Sequence, residues 1–164
     1  APAEIQLLIE ENLASGSAIL AEKHREVEMA LLGYIKSKPS VKILTIDSFT
    51  TDKNYSVNTG IADGSTIVGV IVALECIGEN NGFPIGEIVT APTPYPADSG
   101  RTAAQGIGVQ YNNSDSTVKV MVNDQITIMT PYNSTPGAIA NNVLLSGSAT
   151  ANWKIKLYVN YIEA

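Results

Sequence analysis

The stretch Thr66 to Val89, TIVGVIVALECIGENNGFPIGEIV, joins the most apolar run of the chain to its clearest turn signal. From Ile67 to Cys76 one parity carries Val68, Val70, Val72, Leu74 and Cys76, and the other Ile67, Gly69, Ile71, Ala73 and Glu75. One uniformly apolar face beside a small or mixed one is what a central strand of a layered β domain presents. A buried helix would share the apolarity, but β-branched residues dominate and Gly69 interrupts the run, which favours a strand. Asn80-Asn81-Gly82 then supplies residues that tolerate positive φ, predicting a turn, and Ile85, Ile88 and Val89 resume an extended segment.

Towards the C-terminus the same period of two returns. Ile107 to Tyr111 reads as a strand, Asn112 to Ser116 as a turn, and Thr117 to Val122 as a strand with Val118, Val120 and Val122 inward. Asn123-Asp124 is a two-residue hairpin signal leading to an extended Gln125 to Thr130. Val143 to Leu145 is a short strand candidate. In Asn152 to Tyr161, Trp153, Ile155, Leu157, Val159 and Tyr161 alternate with Lys154, Lys156, Tyr158 and Asn160, the cleanest half-buried strand of the chain and a candidate partner for the opening stretch. Between these strands lies Thr90 to Gly106, TAPTPYPADSGRTAAQG, which has no usable period and reads as a long surface loop of the kind that carries function or lies along a partner. Pro131 to Gly137 is a second aromatic-bearing loop.

Towards the N-terminus the period changes. Val41 to Phe49 and Tyr55 to Val57 still read as strands, but before Pro39 the pattern is helical. Pro2 to Leu13 predicts a first helix, Ser15-Gly16-Ser17 a break, and Ala18 to Ser37 a second helix. Leu13, Ser17, Leu20, His24, Val27, Leu31 and Tyr34 recur by alternating fours and threes, the spacing of a coiled-coil seam. Ile19, Met29, Ala30, Leu32 and Ile35 widen the apolar stripe, which suits burial against more than one neighbour, and an amphipathic helix lying on its own domain would have the same look. Residues 1–38 are thus expected to form a helical stalk for oligomerisation, and residues 39–164 an antiparallel, sandwich-like β domain. The fold class is mainly β.

Composition narrows the partners. With 45% hydrophobic and 16% charged residues the chain is neither disordered nor membrane-spanning, and its net charge of −6 without a basic stripe argues against nucleic acid. No signal peptide or transmembrane pattern is visible. The single Cys76 sits in an apolar strand and reads as a small buried hydrophobe. The single His24 could line a seam, bind an ion there, or pack beside Glu28. With one Cys and one His, nucleophilic catalysis and a histidine metal site lack their residues, and no cofactor motif follows any Gly-rich turn. Asp47, Asp52, Asp63, Asp98, Asp115 and Asp124 fall at strand ends, where local hydrogen bonding is the ordinary role of Asp and a glycosidase pair or calcium site the alternative. The expectation is no enzyme, no metal and no cofactor. Exposed recognition candidates are Tyr95, Arg101, Tyr111, Asn112, Tyr132 and Asn133, whose rings and amides suit the CH face and hydroxyls of a sugar or serve packing.

Three stretches together carry a resemblance. The opening IQLLIEENLASGSAILAEKHREVEMALLGYIKS, the turn GFPIGEIV at Gly82 to Val89 and the closing ANWKIKLYVNYI are similar to segments of tail-fibre and related phage-tail structural proteins of Bacteroidetes phages and prophages. Thr90 to Gly106 has no counterpart in that pattern. The resemblance implies a virion protein: a mainly antiparallel β domain, trimeric on a helical neck with Leu20, His24, Val27, Leu31 and Tyr34 on its seam, attaching to a host-surface receptor such as a glycan or contacting other tail proteins. A connector without a host ligand and a polysaccharide-acting enzyme are the alternatives.

Overall fold

A computed structural model describes residues 21–97, 103–132 and 142–164, together with Leu7. Apart from Leu7, the first predicted helix, and with it the start of the second, Leu20, Arg101 and Asn133, lie outside the described residues.

Helix α1, Ala21–Lys36, ends where Pro39 forbids continuation, and the Ser37 hydroxyl donates to the Tyr34 carbonyl at 2.8 Å to close its last turn. Strand β1, Pro39–Ile46, starts after only Ser37 and Lys38. The remaining strands are β2 (Lys53–Asn58), β3 (Thr66–Cys76), β4 (Ile88–Thr90), β5 (Ile107–Asn112), β6 (Thr117–Val122), β7 (Ile126–Met129), β8 (Asn142–Leu145) and β9 (Trp153–Ile162), the last preceded by a 3-10 helix at Gly147–Asn152. They form sheets of order β1-β9-β3-β4, β2-β6-β5 and β7-β8 with every ladder antiparallel.

The closing strand is the centre of the first sheet. β9 lies between β1 and β3, so both edges of its backbone are paired, and Trp153, Ile155, Leu157 and Val159 are fully buried at alternate positions. They meet Cys76, Leu74, Val72 and Val70 across the β3 ladder. Val118, Val120 and Val122 of β6 face them from the second sheet, joined by Ile126, Ile128 and Leu145 of the third pair, in one continuous core. Each such side chain removed from water contributes about 1.5–3 kcal/mol, so the core rests on alternation in β9, β6 and β3.

Two local expectations need correction. Strict alternation puts Val68 on the face of Val70, Val72, Leu74 and Cys76, but the register slips between Ile67 and Gly69: the inserted Val68 is exposed and Ile67 turns into the core. A bulge of this kind exchanges the faces of every residue before it. Asn123-Asp124 does not close a hairpin either. Strand β6 is already paired on both edges by β2 and β5, and Asn123 instead donates from its backbone to the Gly106 carbonyl at 3.1 Å and from Nδ2 to the Gln105 carbonyl at 2.8 Å, carrying the chain out to β7.

The turn after β3 forms as its sequence predicts. Asn81 and Gly82 have φ of 51° and 83°, and Asn80 and Phe83 exchange backbone hydrogen bonds of 3.3 and 2.9 Å, a two-residue loop whose twist matches the flanking chain. The Asn80 carboxamide oxygen also accepts from Trp153 Nε1 at 3.3 Å, and the Phe83 ring meets the Trp153 ring edge-on at 5.2 Å between centroids. Burial pushes the Cys76 thiol up, so the neighbouring cysteine is a packing residue.

On the outer side of the first sheet Glu75 lies 3.1 Å from Lys154 Nζ and 2.7 Å from Lys156 Nζ. Lys156 first, then Lys154, hold its carboxyl below the ordinary value, and Glu75 raises the Lys156 ammonium in return. A carboxyl whose pKa falls on folding stabilises the fold fully above its ordinary value of 4.5 and loses that contribution as pH drops through the lowered value. The Lys156 contribution is present below 10.5 and lost as pH rises through the raised value. Glu75→Gln is therefore expected to melt below wild type at neutral pH, with the gap closing in acid once the pH has fallen through the lowered Glu75 value. Thermal unfolding at neutral and at acid pH checks this, and an equal gap at both would mean that the loss is not electrostatic.

Candidate functional site

The second sheet turns a polar face outwards. Its inward residues are the valines of β6, so the alternate positions of three neighbouring strands stand side by side in the rows Asn54–Met121–Gly108, Ser56–Lys119–Gln110 and Asn58–Thr117–Asn112. The rows are about 7 Å apart, and a hollow of ≈ 350 Å³ lies over the first two, lined by Asn54, Ser56, Gln110, Lys119 and Met121 together with Tyr55 and Val120. The strand rows carry amide and hydroxyl groups, but the surface of the hollow itself is mainly apolar; the Lys119 ammonium is 4.0 Å from Asp115 at the face's edge, where Thr117 donates to Asp115 and holds its carboxyl below the ordinary value.

The Pro-rich segment walls one end of this face. A Cβ on Gly108 would lie 3.2 Å from Pro94 Cγ and 3.3 Å from Met121 Cε, so glycine at that position lets Pro94 settle onto the sheet. The segment is fixed there by the antiparallel pair Tyr95–Gln105, with backbone hydrogen bonds of 2.9 and 2.8 Å, and by Gly106, whose φ of 86° and contact with the Thr93 carbonyl leave no room for a side chain. What has no period in the sequence is thus an ordered rim over its described residues.

Tyr95 stands on that rim, half exposed, and Asn112 closes the opposite row. Tyr111, adjacent to Asn112 in sequence, belongs to the other parity of β5, opposite Val118, and is not part of the face. Tyr132 is 91% exposed in another region, following Pro131, which packs on Gly82 beside a cleft of ≈ 450 Å³ lined by Glu79 to Pro84. The recognition candidates therefore do not form one site: Tyr95 and Asn112 flank the polar face, and Tyr111 and Tyr132 lie elsewhere. Asn54, Ser56, Gln110, Lys119 and Met121 were missed. Their signal was the polar half of each alternating strand, but only the pairing order brings the halves together.

Of the seam residues, His24, Val27, Leu31 and Tyr34 are described, and all lie on α1. His24 Nδ1 is 3.3 Å from Glu28 Oε1, the local pairing among its readings. From residue 23 to residue 36 the helix is exposed or half-buried throughout, including Met29, Leu31, Leu32 and Ile35, and its base is tied by Lys36 Nζ donating to the Ala164 carbonyl at 3.1 Å. Among the described residues no three His, Cys, Asp or Glu side chains are grouped to hold a metal ion, and no helix is long and apolar enough to cross a membrane.

No protein-family model matches the chain, and neither a curated protein nor a solved structure is detectably similar to it.

Proposed function

We propose that the chain is a non-enzymatic, oligomeric module of phage tail-fibre type, carried on the virion, whose helical neck gathers several copies, as a homotrimer, and whose polar β2-β6-β5 face binds a host-surface glycan. The observation that carries this reading is the face itself: Asn54, Ser56, Gln110 and Asn112 offer donors and acceptors at sheet spacing without a cluster of like charges, with Met121 as apolar surface for a sugar's CH groups. Such a flat site is weak alone. Repeated about one axis it gains avidity by orders of magnitude with no new contact.

A glycan array probed with the full chain tests the reading. Two hydrogen bonds worth about 1 kcal/mol each predict that the double variant Asn54→Ala, Gln110→Ala binds roughly tenfold or more weakly, while Tyr132→Ala, away from the face, binds as wild type. An array without signal for the wild type would favour a tail connector that binds no host ligand. Sugar release from a polysaccharide would instead make the protein an enzyme.

A further inference from the structure

The outer face of the first sheet is the reverse of the second. Across its strands the outward rows are Val41–Asn160–Gly69, Ile43–Tyr158–Ile71, Thr45–Lys156–Ala73–Thr90 and, at the far end, Lys154–Glu75–Ile88. Val41, Ile43, Ile71 and Ile88 are 57%, 53%, 56% and 45% exposed, and Val68 stands out beside them at the bulge. An antiparallel sheet with one solvated face normally turns polar residues to it. We infer that this face docks against a second copy of the chain, in the same assembly that the neck forms.

Four observations favour that occupant. The apolar surface is continuous with the neck, since only Ser37 and Lys38 separate α1 from β1, so copies gathered along α1 bring their first sheets within reach of each other. Val41, Ile43, Val68 and Ile71, grouped at the end of the sheet nearer the neck, leave on the order of 400 Å² in water, within the range of the largest apolar patches on monomers, which are often functional. With Met29, Leu31, Leu32 and Ile35 of α1 the surface approaches the roughly 800 Å² per partner of a standard interface. Each charge of the polar rows already has an opposite partner, because Glu75 contacts both Lys154 and Lys156, although two ammoniums to one carboxylate leave a net positive charge there. Finally, Gly69 interrupts the longest strand although its φ lies outside the left-handed region, so the bulge does not require it, and a Cβ there would meet nothing within 4 Å. Glycine in a strand with open space above it fits the close approach of another chain.

The inference rests on the oligomeric reading, and the test separates the two. In the full-length Ile71→Cys variant the native Cys76 is buried, so maleimide labelling reports position 71 alone. Docking predicts labelling at least ~10-fold slower in concentrated than in dilute protein, following mass action, with sedimentation recording the oligomer in step. Ile43→Glu, at an exposed position that the fold tolerates, is expected to restore fast labelling at high concentration when introduced with Ile71→Cys. An oligomer in which position 71 labels at the same fast rate at every concentration overturns the inference and leaves the neck standing. A monomer protected at every concentration means that the chain's own N-terminal residues cover the face, and a monomer labelled freely means that nothing does; either result overturns both readings.

Discussion

Trp153→Ala is expected to cost about 3–5 kcal/mol, a large share of the roughly 5–15 kcal/mol that holds a domain of this kind together. Trp153 is fully buried at the first position of β9, opposite Cys76, with the Phe83 ring against its edge and Asn80 accepting from its indole nitrogen. Truncation to a methyl group leaves a cavity that the sheet can fill only in part, because β9 is pinned by ladders on both sides. It also strips Asn80 of a partner where the turn after β3 is formed. Urea unfolding followed by circular dichroism should record the loss as a lower midpoint with an unchanged slope. Trp153→Phe, which keeps one aromatic ring but loses the indole nitrogen and part of the buried volume, is expected to cost less, about 1–2 kcal/mol. Equal midpoints for wild type and Trp153→Ala would mean that the core does not run through the closing strand.

That residue also marks how much of the fold was legible. In β9, β6 and most of β3 the side-chain alternation is the packing, so inward residues can be named from a period of two, and the Asn81-Gly82 turn follows from backbone sterics alone. Val68 escapes the rule because a bulge depends on the partner strand: nothing local says that one residue will be inserted between Ile67 and Gly69. The Asn123-Asp124 signal is genuine turn chemistry, but whether a turn makes a hairpin depends on whether the preceding strand has a free edge, and β6 has none. The candidate site failed for the same reason. Tyr111 and Asn112 are neighbours in sequence, yet an extended chain sends them to opposite faces, while Asn54 and Gln110, far apart in sequence, share a hollow because β6 lies between their strands. Sheet order is a non-local property, and a single sequence carries little of it.

The helix poses the opposite problem, for its pattern is plain while nothing among the described residues covers its apolar stripe. A helix of 16 residues without cover is marginal in water, and among the described residues nothing covers Met29, Leu31, Leu32 and Ile35 of α1, which are exposed. Val27, Leu31 and Tyr34 continue the alternating spacing of a seam, while Met29, Leu32 and Ile35 run along a second flank, which suits contact with two neighbours about an axis. On this reading Leu31→Asp removes about 2 kcal/mol of burial from each copy and sets like charges facing one another. For three copies the loss is on the order of 5 kcal/mol, a weakening of more than ~10³-fold. Sedimentation of the variant should return the 17.3 kDa monomer at concentrations where wild type is assembled. Its helical circular dichroism should fall at the same time, because the helix loses the contacts that order it. Glu26→Gln, at an exposed pair with Lys23 of 3.0 Å, is expected to change neither. If Leu31→Asp keeps the wild-type mass, the assembly does not run through this stripe, and the sheet face would have to hold the copies together without the neck.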